Sequence, residues 1–432
     1  MTMPQTRHYE MTDSGVEWIG KVPSHWQVKY LFQLVSQVKN KNNDLREKNL
    51  LSLSYGKIKR KDIETTDGLL PASFDGYNII EEGDIVMRLT DLQNDHTSLR
   101  VGRASERGII TSAYTTVRPS KETSPFLYLA LHSFDVKKGV YGMGAGVRQG
   151  LNYGEVKKVL LPVPPLSEQT AIAAYLDKKC ATIDAIIAEA KASIEEYKSW
   201  KASVIFETVT KGLNPNAEMK DSGVEWIGEI PKGWKVSAVK RHYSITLGKM
   251  LESVPQSNDA TLENYMCASN VKWGGIDTTT NRQMWFSPIE KEEYLLKEGD
   301  LLVMEGGSAG TSAIYRGEYA PCYMQNSVNR CRSKDGSLTH FLYYWMFLVY
   351  HSGHVESACN RATIMHLTKE KLGRLPFVYA PKEEQASIVS YLDRKCSLID
   401  GVILEKEDLI RELENYKRSL IFEVVTGKRR VC

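Results

Sequence analysis

The sequence predicts a mixed α/β (α+β) protein made of two pseudo-symmetric halves. Each half is expected to hold a domain of short strands followed by one long helix, and the two helices are expected to pair as an antiparallel coiled coil. Three observations predict this fold. They are an internal repeat of about 210 residues, two long helical stretches with an apolar heptad pattern, and short apolar runs, such as 85–87, punctuated by Gly and Asp.

The internal repeat organises the whole chain. Residues 13–20 read Asp-Ser-Gly-Val-Glu-Trp-Ile-Gly and recur unchanged at 221–228, an offset of 208. Each copy continues to a Pro-x-x-Trp motif, which ends at Trp26 in one copy and at Trp234 in the other. Later matches follow an offset of 216, such as Tyr-Leu-Asp at 175–177 and again at 391–393. Such a long period excludes short solenoid repeats and indicates duplication of a domain together with its helix.

The middles of the two halves differ while their ends agree. Residues 30–160 and 238–375 have diverged almost entirely. This pattern favours a constant scaffold that carries two readers of different targets, and neutral drift in surface loops is the alternative. The predicted division of the chain is a first domain, its helix, a second domain and its helix, at residues 1–166, 167–212, 213–380 and 381–432.

The ends of both long helices are predicted from local signals. Ser167 is the expected N-cap of the first helix, and Glu168 lies in the first turn, where a carboxylate complements the helix dipole. No Gly or Pro follows until Gly212, which should end the helix. The second helix is expected to start after Pro381 and to end at Gly427.

Apolar residues recur every seven positions along both helices, with a second row between them. A 3.5-residue stripe over four heptads predicts a coiled coil, and packing of each helix on its own domain is the alternative. A helix of 44 residues would be about 66 Å long. Lysines interrupt the rows at 201, 406 and 417. The residues predicted to form the contact are Leu176, Ile183, Ile187, Ile194, Leu392, Ile399, Ile403 and Ile410.

Antiparallel pairing of the helices has a geometric consequence. It would place the two domains at opposite ends of the rod in pseudo-two-fold symmetry. Two readers arranged in this way could reach one face of a DNA duplex about 34 Å apart, which is one helical turn. The helices would then set the spacing like a ruler.

Several polar stretches of the divergent domains could contact nucleic acid. Arg pairs with guanine and Gln or Asn with adenine, whereas Lys and backbone N–H groups hold phosphates. The alternative is that these side chains are solvated surface. The four repeated tryptophans, at 18, 26, 226 and 234, are expected to be core or interface anchors and not stacking platforms. The candidate DNA-binding residues are Lys57, Lys59, Arg60, Lys61, Arg148, Gln149, Lys272, Arg282, Ser308, Arg361 and Thr363.

Composition and missing motifs favour a binding protein. The net charge of +3 is compatible with a nucleic-acid partner but does not require one. No run of 18 apolar residues and no secretory signal occurs, and the seven cysteines form no CxxC pair, which predicts free thiols in a cytoplasmic protein. The chain has no P-loop, no HExxH and no zinc spacing. We therefore expect no catalytic residue, metal or cofactor in this chain.

The shared motifs resemble those of a known family. Ser-Gly-Val-Glu-Trp-Ile-Gly with Pro-x-x-Trp, Pro-Pro-Leu-Ser-Glu-Gln at the start of the helix, Tyr-Leu-Asp in its first turns, and the duplication are similar to specificity subunits of type I restriction–modification enzymes. The resemblance covers essentially the whole chain. The second copy departs from it at residues 381–385, where Pro-Lys-Glu-Glu-Gln weakens the cap.

The resemblance implies both a function and partners. Two target recognition domains, at 30–160 and 238–375, would each read half of a bipartite, asymmetric site in double-stranded DNA. The shared helices, near 168–211 and 384–427, would dock two adenine-N6 methyltransferase subunits, and restriction subunits that translocate DNA would join them. S-adenosylmethionine, ATP and Mg would bind to those partners. The alternative function is a non-catalytic coiled-coil scaffold that joins proteins without reading DNA.

Overall fold

A computed structural model of the protein describes residues 10–63, 73–92, 98–143, 150–358 and 366–431. The chain forms two compact units. One combines the chain up to Ala190 with the segment from Glu407 onward, and the other runs from Lys191 to Lys406. Each unit therefore contains one mixed domain and a segment of each long helix, and the predicted α/β class is confirmed.

The domain of the first unit is built around a sheet in the order β4 (Ser36–Gln37), β11 (Thr115–Arg118), β8 (Ile85–Met87) and β9 (Val101–Arg103), whose pairs are all antiparallel. Helix α1 (Ser124–Val136) packs on this sheet, and its Phe126 and Leu127 join Ile85 and Met87 of β8 in one buried cluster. The helices are α1 (Ser124–Val136), α2 (Tyr153–Val156) and α3 (Leu166–Lys211). The strands are β1 (Met11–Asp13), β2 (Lys21–Pro23), β3 (Gln27–Tyr30), β4 (Ser36–Gln37), β5 (Leu51–Ser54), β6 (Lys57–Arg60), β7 (Asn78–Ile80), β8 (Ile85–Met87), β9 (Val101–Arg103), β10 (Gly108–Ile110), β11 (Thr115–Arg118) and β12 (Leu160–Val163).

The domain of the second unit repeats this plan with the sheet β16–β24–β21–β22, and α6 occupies the place of α1. It adds a sheet β20–β17–β23 that contains a parallel pair. The helices are α4 (Val239–His242), α5 (Pro288–Tyr294), α6 (Thr339–His351), α7 (His354–Ala358), α8 (Lys369–Arg374) and α9 (Lys382–Val425). The strands are β13 (Met219–Asp221), β14 (Glu229–Pro231), β15 (Lys235–Ala238), β16 (Tyr243–Leu247), β17 (Thr261–Met266), β18 (Val271–Lys272), β19 (Gly275–Ile276), β20 (Arg282–Phe286), β21 (Leu301–Met304), β22 (Ser312–Ile314), β23 (Cys322–Met324), β24 (Val328–Ser333) and β25 (Pro376–Tyr379).

A buried aspartate fixes the turn into each central strand. Asp84 accepts two hydrogen bonds from the Arg118 guanidinium, at 2.7 and 2.6 Å, and Asp300 accepts the same pair from Arg332. Two parallel N–H to oxygen bonds of this kind hold a carboxylate in a defined geometry. The repeated Glu-Gly-Asp sequence therefore marks a structural turn in both units.

The start of α3 differs from the predicted one. Ser167 is not the N-cap, because the helix already includes Leu166 and the backbone N–H of Gln169 donates to the carbonyl oxygen of Pro165 at 3.0 Å. Pro165 therefore stands immediately before the helix, where its lack of an N–H costs nothing. At the other end, α3 stops at Lys211, and Gly212 takes a left-handed conformation with φ of 75°.

The two long helices run antiparallel within each unit. In the first unit, Trp26 donates to Glu168 at the start of α3, and Gly427 past the end of α9 lies against the same indole. Further along, Lys417 of α9 donates to Asp184 of α3. The second unit has the same arrangement, in which Trp234 links Glu384 of α9 to Gly212 after α3 and Lys201 pairs with Asp400. The predicted antiparallel pairing is confirmed within each unit.

The heptad residues contact both the other long helix and the adjoining domain. In the first unit, Leu176 and Ile183 share a buried cluster with Leu420 and Val424 of α9, and the same cluster includes Phe126 of the domain. The helices thus pack on each other and on the adjoining domain, so the two packing alternatives coexist. Seven of the eight residues are buried and Ile410 is partly buried; the seven are Leu176, Ile183, Ile187, Ile194, Leu392, Ile399 and Ile403.

Candidate nucleic-acid interface

The basic cluster of the first unit lies on one hairpin. Lys57, Lys59 and Arg60 belong to β6, which pairs with β5, and Lys61 follows directly. All four side chains are exposed. Alternation along a strand would send Lys57 and Lys59 to one face and Arg60 to the other. The hairpin therefore presents positive charge on both of its faces.

Arg60 differs from its neighbours because it is already engaged. Its Nε donates to Glu106 at 2.8 Å, and this contact raises the pKa of Arg60 and lowers that of Glu106. Within the described residues, Lys57, Lys59 and Lys61 have no ion-pair partner. The three lysines are therefore better candidates for phosphate contacts. Arg60 would have to leave the Glu106 carboxylate before it could bind a phosphate.

The predicted residues of the second unit lie on separate elements. Lys272 ends β18 in the small β18–β19 hairpin, Arg282 begins β20, and Ser308 lies in the turn after β21. All three are exposed. Arg282 also contacts the Cys267 sulfur at 3.6 Å. Four further candidates lie outside the residues that the structure describes, namely Arg148, Gln149, Arg361 and Thr363.

A groove lies beside a domain hairpin and the long helix in each unit. In the first unit it measures about 300 Å³ and is lined by Lys57, Arg103, Tyr128 and Asp177. In the second unit it measures about 550 Å³, and its lining includes Gly274, Arg316, Tyr344 and Asp393. Tyr344 and Asp393 are the repeat counterparts of Tyr128 and Asp177, at the offset of 216, so the same pair recurs in both grooves.

The repeated tyrosine lies beside the long helix in each unit, and in the second unit it is hydrogen-bonded to that helix. The Tyr344 hydroxyl donates to Asp393 Oδ1 at 2.6 Å, and burial raises the pKa of this tyrosine well above its usual range. Burial also raises the pKa of Tyr128 to about 12. Both groups therefore stay protonated and can donate hydrogen bonds at physiological pH. Sequence reasoning missed this junction, although the offset shared by the two pairs was a signal for it.

Two of the repeated tryptophans are core anchors, and the other two are partly buried against the core. Trp26 and Trp234 are buried, and each indole N–H donates to a glutamate in the first turn of a long helix at 2.9 Å. Trp18 is half-buried, and its indole donates to the Leu160 carbonyl at 3.2 Å. Trp226 stacks on His354. None of these four rings is therefore presented as a platform for a base.

The described residues contain neither a membrane-spanning helix nor a cluster of metal ligands. In the part of the chain that the structure covers, no helix is long and apolar enough to cross a membrane. The same part contains no group of three or more His, Cys, Asp or Glu side chains that could hold a metal ion. The described thiols are free, and burial raises the pKa of Cys331 to about 12, so this thiol is unreactive as a nucleophile.

These features define a class of protein: a duplicated reader, in which each unit carries a different polar surface on a matching scaffold that includes antiparallel segments of the two long helices. The chain belongs to the family of the type I restriction modification DNA specificity domain, whose family profile matches residues 26–196 and 251–415. The family is one of DNA specificity, so the role of this chain is recognition and not catalysis, and the scaffold alternative has no support.

Relatives and solved structures agree with this assignment. The chain is 22% identical over 431 residues to the putative type I restriction enzyme MjaX specificity subunit of Methanocaldococcus jannaschii, with 96% of each chain covered. A chain solved in work on complex assembly and conformational transition of the type I R-M system has a TM-score of 0.70 at 16% identity, covering 94% of this chain and 99% of that one. The HsdS subunit from Thermoanaerobacter tengcongensis has a TM-score of 0.51 at 14% identity, covering 94% and 98%. These two likenesses show the fold.

Proposed function

We propose that this chain is the recognition subunit of a type I restriction–modification complex and that each of its domains reads one half of a bipartite, asymmetric DNA site. The observation that carries the proposal is the split between like and unlike parts. The two units share their Trp–Glu and Lys–Asp contacts with the long helices, and the equivalent tyrosine and aspartate line the groove beside the helix in each unit. They differ in the exposed polar residues of their sheets and hairpins, where two different half-sites would require them to differ.

The division of labour among the candidate residues follows from their chemistry. The exposed lysines of the β5–β6 hairpin would hold phosphates, which positions the duplex without reading its sequence. Base reading would fall to side chains with fixed hydrogen-bonding patterns in the divergent regions 30–160 and 238–375. Because phosphate contacts release counterions, we expect DNA binding that weakens steeply as salt is added. A flat salt response would contradict this expectation.

Partner docking is proposed for the long helices. Trp200 and Tyr416 occupy equivalent positions of the repeat, and they are 45% and 48% exposed on α3 and α9. Lys395 lies over the Trp200 ring at 5.1 Å, and the exposed part of the ring is available to a partner. An aromatic residue repeated once per unit suits two copies of the same partner, which we take to be adenine-N6 methyltransferase subunits.

The other components of the complex would supply the chemistry. Restriction subunits would use ATP and Mg to translocate and cut DNA, and the methyltransferase subunits would use S-adenosylmethionine. In this arrangement the present chain determines where the methyl group or the cut is placed. Measurable methylation by the purified chain alone would contradict this division.

The direct test is selection of binding sites by the assembled complex. The chain is co-expressed with its methyltransferase partners, and the complex selects duplexes from a random library. We expect one motif with two specified halves separated by an unspecified spacer. Failure to enrich any bipartite motif, with the complex shown to be assembled, would overturn the proposed function.

A further inference from the structure

A polar pocket opens beside the central strand of the second unit. Its volume is about 510 Å³, and it lies where β21 ends and the turn before β24 begins. Acceptors, donors and positive charge meet there within one concave surface. The polar residues that line it are Ser269, Lys272, Glu305, Asn326, Ser327 and His366.

The backbone holds Glu305 in a fixed position within this pocket. Its N–H donates to the Ser327 carbonyl at 3.0 Å, and its own carbonyl accepts from the N–H of Leu367 at 2.7 Å. The next residue, Gly306, forms a β-bridge with His366. The direction in which the Glu305 side chain leaves the chain is therefore set by main-chain pairing on both sides, as a base-reading side chain requires.

The Glu305 carboxylate is partly buried and has no protein partner. Within the described part of the chain it accepts no hydrogen bond, and burial raises its pKa. Its oxygens are therefore available to a ligand that enters the pocket. Nearby structural carboxylates behave differently, since Asp300 is held by Arg332 and Glu290 by Lys249. A ligand with a hydrogen-bond donor would satisfy Glu305.

The first unit has a different residue at the same backbone position. Leu89 is the repeat counterpart of Glu305, and its carbonyl accepts from Leu151 at 2.8 Å as that of Glu305 accepts from Leu367. Leu89 is 1% exposed and belongs to the core cluster. The scaffold therefore tolerates a leucine here. The unpaired glutamate of the second unit is not required by the fold.

We propose that Glu305 reads a G·C base pair in the half-site of the second unit by accepting a hydrogen bond from the cytosine N4 amino group, with Lys272 on a neighbouring phosphate. This inference rests on the proposed function. A carboxylate only accepts, and the major groove offers it the amino groups of cytosine and adenine. The adenine amino group lies next to the N7 acceptor of the same base, and this acceptor repels a carboxylate. Cytosine presents its N4 amino group in the major groove without a neighbouring acceptor on the same base.

The test compares site selection by three versions of the assembled complex. The wild-type chain gives the reference motif. Glu305→Gln keeps the shape of the side chain but adds a donor, and it should lower the preference for G·C at one position of one half-site by about 10- to 100-fold. Glu298→Gln is the matched control, because Glu298 is an exposed glutamate of the same domain outside the pocket. It should select the wild-type motif.

The outcomes separate this inference from the proposed function. An unchanged motif for Glu305→Gln, a change in the other half-site, or loss of all binding would each overturn the reading role, because one base contact should affect one position only. If the Glu305→Gln complex still selects the other half-site, the variant chain is folded. If the wild-type complex selects no bipartite site, the proposed function itself fails. Lys272→Ala should weaken binding to all sequences and lower the salt slope by about one, with the motif unchanged; a changed motif would contradict the phosphate role.

Discussion

The ammonium group of Lys201 on α3 donates to both carboxylate oxygens of Asp400 on α9, at 2.8 and 2.6 Å. Lys417 and Asp184, their counterparts in the repeat, make the same contact in the other unit at 2.6 and 2.7 Å. These lysines interrupt the apolar rows of the heptad pattern. Their partners explain the interruption, because a polar pair within an apolar seam favours one alignment of the two helices over others.

Breaking this ion pair should destabilise the second unit. Asp400→Asn leaves Lys201, whose side chain is 19% exposed, with a neutral partner. We expect the free energy of unfolding to fall by about 1 kcal/mol in urea titrations. Glu195→Gln is the control, because Glu195 pairs with Lys198 of the same helix within the second unit and both side chains are well exposed. An equal effect of the two substitutions would show that the inter-helix pair has no special role.

The buried glutamines at the helix starts should differ in importance. Gln385 donates to the Ala380 carbonyl at 2.8 Å and accepts from the Leu338 N–H at 2.9 Å. Gln169 donates to the Pro164 carbonyl at 2.9 Å, and its Oε1 has no partner among the described residues. Gln385→Ala leaves two backbone groups without a hydrogen-bond partner, so it should lower the free energy of unfolding by about 2–3 kcal/mol. Gln169→Ala leaves one such group and should lower it by about 1–2 kcal/mol. Urea unfolding of both variants measures the difference, and the reverse order would contradict these contacts.

His132 should make the first unit sensitive to acid. Burial in α1 and the nearby charge of Lys417 lower the pKa of His132 to about 4. Between that value and 6.5, the unfolded chain binds more protons than the folded one. The stabilising contribution is therefore complete above about pH 6.5 and is lost as the pH falls towards 4.

A substitution taken from the second unit tests this pH dependence. Leu348 is the repeat counterpart of His132, so His132→Leu copies a residue that the same helix position accepts. The urea midpoint of the first unit should fall less for this variant than for the wild type between pH 6.5 and 4.5. Parallel curves would contradict burial of the neutral imidazole. The second unit also contains histidines with lowered pKa values, at 340, 351 and 354. Because the wild type and the variant both keep them, they do not contribute to the difference between the two proteins.

The hairpin lysines should contribute to affinity without affecting sequence preference. Lys59→Ala should weaken DNA binding by the complex and reduce the slope of log affinity against log salt by about one. Arg60→Ala should have a smaller effect, since Glu106 already engages that guanidinium. Lys232→Ala removes an exposed lysine that pairs with Glu218 and serves as the control. A salt slope unchanged by Lys59→Ala would place the DNA elsewhere.

Local signals in the sequence predicted the framework well. β8 covers Ile85–Met87 as predicted, and Gly212 and Gly427 follow the long helices in left-handed conformations. These features depend on short-range patterns of apolar residues and on backbone freedom at glycine. The repeat also located the helix pair, because the same heptad occurs twice.

Contacts between distant residues could not be predicted in this way. The pairing of Tyr344 with Asp393 and the pocket around Glu305 bring together residues from separate strands and helices, and no periodicity encodes them. The Ser167 cap was wrong for a related reason: a good capping side chain was present, but the helix begins two residues earlier, with Pro165 at the cap position. Four of the proposed DNA contacts lie outside the described residues, and the DNA-binding roles of all eleven candidates stay predictions.

The most direct test of the central claim is to change the length of the helices. Seven residues of heptad sequence are inserted after position 190 in α3 and after position 406 in α9, so that the apolar rows stay in phase. Methylome sequencing of a host that expresses the chain with its partners then reports the motif. We predict a longer spacer between two unchanged half-sites. Altered half-site letters with an unaltered spacer would contradict the account.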